Sequence, residues 1–174
     1  EDHRRFIKAC DLYSTYVENS DHLTDIEYEA ALVFYDHDQF KEAIPRFKKI
    51  AENRIEHRLA KFAADFLLDC YILLKDFRGL NKQVDILLRK YNEDTAENLH
   101  GRLVLLKQKA TFNECRGLEK DSGEKAAQCF EKYAVDFSAS DDLDKALWNA
   151  AFNYEKERLY SESNEALKKL VESG

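Results

Sequence analysis

The sequence is poor in the residues that build turns and loops. Its 174 residues include five Gly and one Pro, whereas sandwiches and barrels place these residues at their corners. The longest apolar run is six residues, Ala30–Tyr35, and a membrane-spanning helix needs roughly 20. We therefore expect neither a strand-based fold nor direct membrane insertion.

An excess of basic charge is also missing. The formal net charge is −7, and nucleic-acid binding needs clustered Lys and Arg on one face. What is present is a chain with 44% apolar, 35% charged and 12% aromatic residues. A disordered segment would lack these aromatic residues, so the composition indicates a set of amphipathic helices.

Motifs for catalysis and for metal binding are absent from the sequence. The five His residues are isolated from one another, and none belongs to a His-Glu-x-x-His motif. The chain has no Cys-x-x-Cys pair, no phosphate-binding Gly loop and no Gly-x-Ser-x-Gly elbow. The segment Tyr35–Asp38 is acidic and includes His37, and we interpret it as an exposed corner between helices. We predict no enzymatic activity, no metal and no cofactor.

A recurring pattern is the strongest signal in the sequence. Four segments follow one pattern. Each begins with a small or medium-sized residue, which is followed by a large apolar residue four positions later and by another three positions after that. These triplets are Ala43, Phe47, Ile50; Leu80, Val84, Leu87; Ala126, Phe130, Tyr133; and Ser163, Leu167, Leu170. The spacing is one stripe of a helix. The segments are offset by 37 (43 to 80), 46 (80 to 126) and 37 (126 to 163) residues.

Each of these helices follows another helix with an apolar stripe, such as the one containing Ala30, Ala31 and Phe34. Short turns, for example at His37-Asp38, make the two helices antiparallel. The sequence predicts an all-α chain of about nine helices. These form a half repeat over residues 1–20 and full repeats over about 23–54, 57–91, 94–137 and 141–173. The third repeat is irregular, with a longer first helix.

The pattern resembles the tetratricopeptide repeat, a helix-turn-helix unit of 34 residues. Ala30, Ala31, Phe34, Phe47 and Ile50 match its small and packing positions in the first full repeat. The usual Gly of the first helix is replaced, and the single Pro lies inside a helix as Pro45. The 37-residue units look most like divergent repeats of bacterial cell-envelope proteins.

The resemblance implies a right-handed superhelical solenoid that binds peptides or partner helices in a concave groove lined by the first helices. The groove residues that it implies are Tyr28, Leu32, Tyr35, Phe62, Asp65, Asp69, Ile72, Trp148, Phe152 and Lys156. Large aromatic residues are favoured anchors in protein interfaces. The alternative for any one of them is packing against a neighbouring helix.

Two readings of the function follow. The first is a non-catalytic scaffold that binds a protein partner, with Asp65 and Asp69 suited to a Lys or Arg of the ligand or merely solvated. The second is a spacer segment of a longer, self-associating solenoid. The sequence identifies neither the partner nor the oligomeric state.

Cys115 and Cys129 lie at similar distances on either side of the turn at Lys120–Gly123. In an antiparallel hairpin they lie at about the same level on the two facing helices. They therefore either form a disulfide or pack together as two free thiols. A disulfide indicates an oxidising compartment such as the bacterial periplasm, and a cytoplasmic location is the alternative. Because the chain starts at Glu1 and contains no Met, we expect a processed or trimmed fragment.

Overall fold

The computed structural model describes residues 2–17 and 22–173, apart from the side chains of residues 93–95 and 97. Over these residues the chain forms nine helices and no strand. They are α1 (Asp2–Tyr16), α2 (Leu23–Asp36), α3 (Phe40–Asn53), α4 (Ala60–Leu73), α5 (Phe77–Lys90), α6 (Glu93–Leu118), α7 (Gly123–Asp136), α8 (Leu143–Lys156) and α9 (Tyr160–Ser173). The prediction of an all-α fold of about nine helices is confirmed. Residues 1 and 18–20 of the predicted half repeat lie outside the described ranges.

The helices repeat in length as well as in order. Each of the helices α2 to α5 and α7 to α9 has 14 residues. The stripe residues of the first three repeats are buried because they recur on one side of each helix, as Phe47, Val84 and Phe130 do. In the fourth repeat Ser163 is buried, while Leu167 and Leu170 are half-buried. Helix α3 continues through Pro45 to Asn53. The third repeat differs, because the backbone leaves helical values at Ala96 near the start of α6 (φ −158°, ψ 52°).

Three of the turns between paired helices share one backbone conformation. Asp38, Lys75 and Arg158 follow α2, α4 and α8, and they have φ values of 57°, 56° and 62°. In the first turn Gln39 N–H donates to the Phe34 carbonyl (2.9 Å). The amide of Asp38 donates to the carbonyl of Tyr35 (3.0 Å). This is a Schellman motif, which normally uses Gly at the left-handed position.

The same two hydrogen bonds close the turns at Lys75 and Arg158. The turn between α6 and α7 is built differently. There the amides of Asp121 and Ser122 both donate to the carbonyl of Leu118, each at 2.9 Å, and no described residue of this turn has a positive φ. The third repeat is therefore irregular at its turn as well as in the length of its first helix.

The chain divides into two compact units, Glu1–Leu103 and Val104–Gly174, and the division falls inside α6. The first unit packs α1 to α5 in sequence, with a core of Ala-rich α4 against Phe47 and Ile50 of α3. In the second unit Phe130 and Tyr133 of α7 pack against the small residues Ala146 and Ala150 of α8. No described helix combines the length and apolar character of a membrane span.

Candidate partner-binding surfaces

The second unit exposes two large aromatic side chains on one face of α8. Trp148 is 57% exposed and Phe152 is 47% exposed. They lie one turn apart because residues four positions apart in a helix share a face. Lys156 follows one turn later, and its Nζ lies 4.8 Å from the centre of the Phe152 ring, a cation–π contact. We call Trp148, Phe152 and Lys156 the α8 surface.

A cleft adjoins the α8 surface at Trp148. Its volume is about 570 Å³, and the sequence did not predict it. Phe112 of α6, Trp148 and Leu170 of α9 form its apolar walls, while Arg116 and Lys145 contribute positive charge. Such a combination of apolar walls with a few charged groups is typical of ligand pockets. The second unit thus provides both an exposed anchor surface and a concavity beside it.

The first unit exposes a corresponding stripe on α4. Phe62 is 57% exposed, and Ile72 is also exposed at the far end of the helix. Between them lie Asp65, which is half-buried, and Asp69, which is exposed. These four residues, which we call the α4 surface, follow a helical spacing that keeps them on one side. The structure therefore brings together all four residues that the resemblance implied for this helix.

The two carboxylates of the α4 surface have different surroundings. Arg102 binds Asp65 through two nitrogens, at 3.0 Å and 3.1 Å. Desolvation of the carboxylate, and then the negative charge of Asp65, raise the pKa of Asp69, and Arg102 acts in the opposite direction. Because its ionised form is disfavoured, Asp69 would gain from a cationic group placed beside it.

The predicted residues of α2 are less accessible than those of α4 and α8. Tyr28 is only 8% exposed, and its ring packs edge-on against Phe47 and Phe66. Tyr35 is half-buried against Phe66, with ring centres 4.9 Å apart. Leu32 is half-buried as well. For Tyr28 the burial favours the packing interpretation, because little of its ring remains for a partner.

The structure joins Cys115 and Cys129 through a disulfide with a Cα–Cα distance of 5.3 Å. Cys115 is buried in the core of the second unit, where Phe130 lies in the same cluster. The bond ties α6 to α7 across the irregular turn. Cys10 and Cys70 are free thiols and buried. Burial raises the pKa of the Cys70 thiol to about 12.

The acidic corner at Tyr35–Asp38 places the imidazole ring of His37 next to a second imidazole. His37 lies beside His3 of α1, with ring centres 4.3 Å apart. The described residues contain no group of three or more His, Cys, Asp or Glu side chains that could hold a metal ion.

Sequence reasoning did not assign Phe66, Phe112, Arg116 or Leu170 to the places that they occupy in the structure. Phe66 fills the space between α2, α3 and α4, and Phe112 and Arg116 line the cleft beside Trp148. The register of α6 is ambiguous in the sequence, so nothing in the pattern assigned Phe112 to a face. Leu170 belongs to a recognised stripe, but its position at the cleft depends on the packing of α9 on α8.

The fold defines an all-α protein of the helical-repeat, or solenoid, class. Among solved structures the chain is similar to a kinesin light chain from Podosopora anserina with nearly identical TPR-like repeats and to a form of that protein with a single substitution. The TM-scores are 0.40 for the first and 0.41 for the substituted form. Each match has 9% identity and covers 98% of this chain and 84% of that chain. No family model and no curated protein matches. Neither structure supports the narrower likeness to bacterial cell-envelope proteins.

Proposed function

We propose that this chain is a non-catalytic scaffold that binds a peptide or helix of a partner protein. The observation that carries the proposal is the exposure of Trp148 and Phe152 together on α8, beside an open cleft. Aromatic side chains that stay exposed in a monomer, next to a concavity, are typical of interaction sites. In this proposal an apolar side chain of the partner enters the cleft between Phe112 and Trp148.

Charge around the α8 surface indicates what the partner segment contains. Arg116 and Lys145 line the cleft, and Asp144 is the acidic residue of its lining. Lys156 lies over the Phe152 ring, further along the same face of α8. Lys145 is held by Asp142 at 2.6 Å, which leaves Arg116 and Lys156 for a ligand carboxylate. We expect the second unit to bind a segment that combines an apolar anchor with acidic neighbours.

The α4 surface suits a ligand side chain of the opposite charge. Asp65 is already paired with Arg102, so Asp69 is the carboxylate that a Lys or Arg of the partner would contact. Phe62 and Ile72 flank it and supply apolar contact. If this is correct, Asp69→Asn lowers affinity for a basic peptide but does not lower the melting temperature, because the wild-type carboxylate is held in unfavourable surroundings.

The direct test uses the purified protein to capture partners from an extract of its native source. We expect the double variant Trp148→Ala/Phe152→Ala to lose partners that the wild type retains, since exposed aromatic anchors dominate interface energies. Tyr160→Ala is the matched control, because Tyr160 is an aromatic residue of similar exposure on α9. Circular dichroism checks that all three proteins keep their helicity. Retention of partners by the double variant contradicts the assignment of the α8 surface.

A structural role in a longer, self-associating solenoid is the second candidate, and one observation favours it. Val171 of α9 is 82% exposed, whereas Ala51, which occupies the same position of α3, is buried, and α3 packs against the following helix α4. An α9 face that could accept a further helix suits such an assembly. Sedimentation at several concentrations separates the candidates. Multimers that grow with concentration, and that Val171→Lys abolishes, favour the spacer role.

We also propose that the protein resides in an oxidising compartment, such as the bacterial periplasm, rather than in the cytoplasm. The Cys115–Cys129 disulfide supports this, because such bonds persist where thiols are not kept reduced. Trapping free thiols at cell lysis, followed by mass spectrometry, tests it. Recovery of Cys115 and Cys129 as alkylated thiols contradicts this proposal.

A further inference from the structure

A basic pocket lies beside the segment that connects α3 to α4. Its volume is about 340 Å³. His57, Arg58 and Lys61 line it from the connecting segment and the start of α4, and Lys90 lines it from the end of α5. We call these four residues the basic pocket. Their clustering contrasts with the net charge of −7 of the whole chain.

Lys90 and Arg58 of the basic pocket keep positive charge or donors for a ligand. Lys90 Nζ donates to the carbonyl oxygen of Glu52 at 2.8 Å, and a neutral acceptor fixes the ammonium group without cancelling its charge. Arg58 Nη2 contacts Asp25 Oδ1 at 2.6 Å, and 72% of its side chain is exposed. Because a guanidinium has five N–H donors, this contact leaves donors for a second anion.

His57 adds an oriented donor to the basic pocket. Its Nδ1 accepts a hydrogen bond from the amide of Leu59 at 3.2 Å, so Nε2 carries the proton in the neutral ring. Glu56 is the single acidic residue of the lining, and Ile55 supplies an apolar wall. Helix α4 begins here without a side-chain cap from Leu59, and the positive end of its dipole adds to the potential.

From this arrangement we propose that the basic pocket binds a phosphomonoester. A phosphate carries up to two negative charges and three acceptor oxygens, which Arg, Lys and an imidazole N–H can meet from several sides. The volume exceeds that of a bare ion, and the Ile55 wall can contact a small organic group. The pocket uses no residue of the α4 or α8 surface, so this proposal is independent of the proposed scaffold function.

Titration of ¹⁵N-labelled protein with inorganic phosphate, phenyl phosphate and O-phosphoserine at constant ionic strength tests the proposal. We expect saturable amide shifts at residues 55–61 and 90–91. Arg58→Gln and Lys61→Gln should each weaken binding roughly tenfold, the usual effect of losing one charged hydrogen bond. Lys41→Gln is the matched control, because it removes an exposed positive charge of α3 that does not line the pocket.

Several results overturn the proposal. They are no saturable shift at these residues, an equal response to acetate, or an equal loss of binding in Lys41→Gln. Substitution of the exposed Arg58 and Lys61 should leave the helices intact, which circular dichroism verifies. A phosphoserine peptide compared with free phosphoserine then identifies the source of the phosphate. Tighter binding of the peptide indicates a protein ligand, and equal binding indicates a small molecule, both within the proposal.

Discussion

The Cys115–Cys129 disulfide allows a quantitative prediction about the second unit. The bond links residues 14 positions apart. In the chain-entropy model, a closed loop of about 15 residues stabilises the folded state by ~3 kcal/mol at 25 °C. Reduction should therefore raise the unfolding equilibrium constant of this unit by roughly 150-fold. For a domain of this size the melting temperature should fall by about 12–24 °C.

Trp148 makes the measurement specific to the second unit. It is the only Trp of the chain, so its fluorescence reports on unfolding of this unit, whereas far-UV circular dichroism reports on all the helices. We would record urea unfolding of the wild type with and without a reductant. Reduction breaks the bond but keeps both sulfur atoms, so the loss of free energy reflects the cross-link and not a cavity left in the core.

The double variant Cys115→Ala/Cys129→Ala provides the control, because the reductant should not affect its unfolding. The turn between α6 and α7 lacks the Schellman bonds of the other hairpins and is closed by two bonds to the Leu118 carbonyl, neither of which involves the disulfide. A difference of less than about 1 kcal/mol between oxidised and reduced wild type, measured at Trp148, refutes the chain-entropy argument for this loop.

Further predictions concern single positions. Gly79→Ala should destabilise the chain by about 1 kcal/mol in urea unfolding, because a Cβ there lies 2.7 Å from Tyr71 Cε1 and disturbs the Asp76 cap. Gly101→Ala, with nothing within 4 Å, should instead stabilise by ~0.5–1 kcal/mol. Lys75→Gly should stabilise by about 0.5–1 kcal/mol because φ is 56° there, while Asp121→Gly should not; equal effects contradict the assignment of strain. Cys70, with a pKa of about 12, should resist iodoacetamide at pH 8 until the protein unfolds.

The sequence predicted the helices correctly because their signal is local. The i, i+4, i+7 spacing of Ala43, Phe47 and Ile50 repeats in each second helix, and all three residues are buried. The short turns were also visible, as at His37-Asp38. Their backbone conformation was not, because the left-handed positions hold Asp38, Lys75 and Arg158 where Gly is the usual signal.

The candidate binding surfaces were only partly predictable from sequence. Tyr28 and Trp148 occupy the same position of α2 and α8, and a sequence pattern treats them alike. The structure buries the first under Phe47 and Phe66 and leaves the second exposed beside a cleft. Exposure depends on which side chains of other helices cover a residue, and those contacts are not encoded in the spacing within one helix.

The sequence by itself determined an all-α repeat fold, because hydrophobic periodicity acts within each helix and recurs along the chain. Only the tertiary structure decided which aromatic residues are accessible, that Cys115 and Cys129 approach to 5.3 Å, and that four basic residues from separate elements share one pocket. These properties arise where helices meet. Their physical cause is packing between segments distant in sequence, which no local pattern specifies.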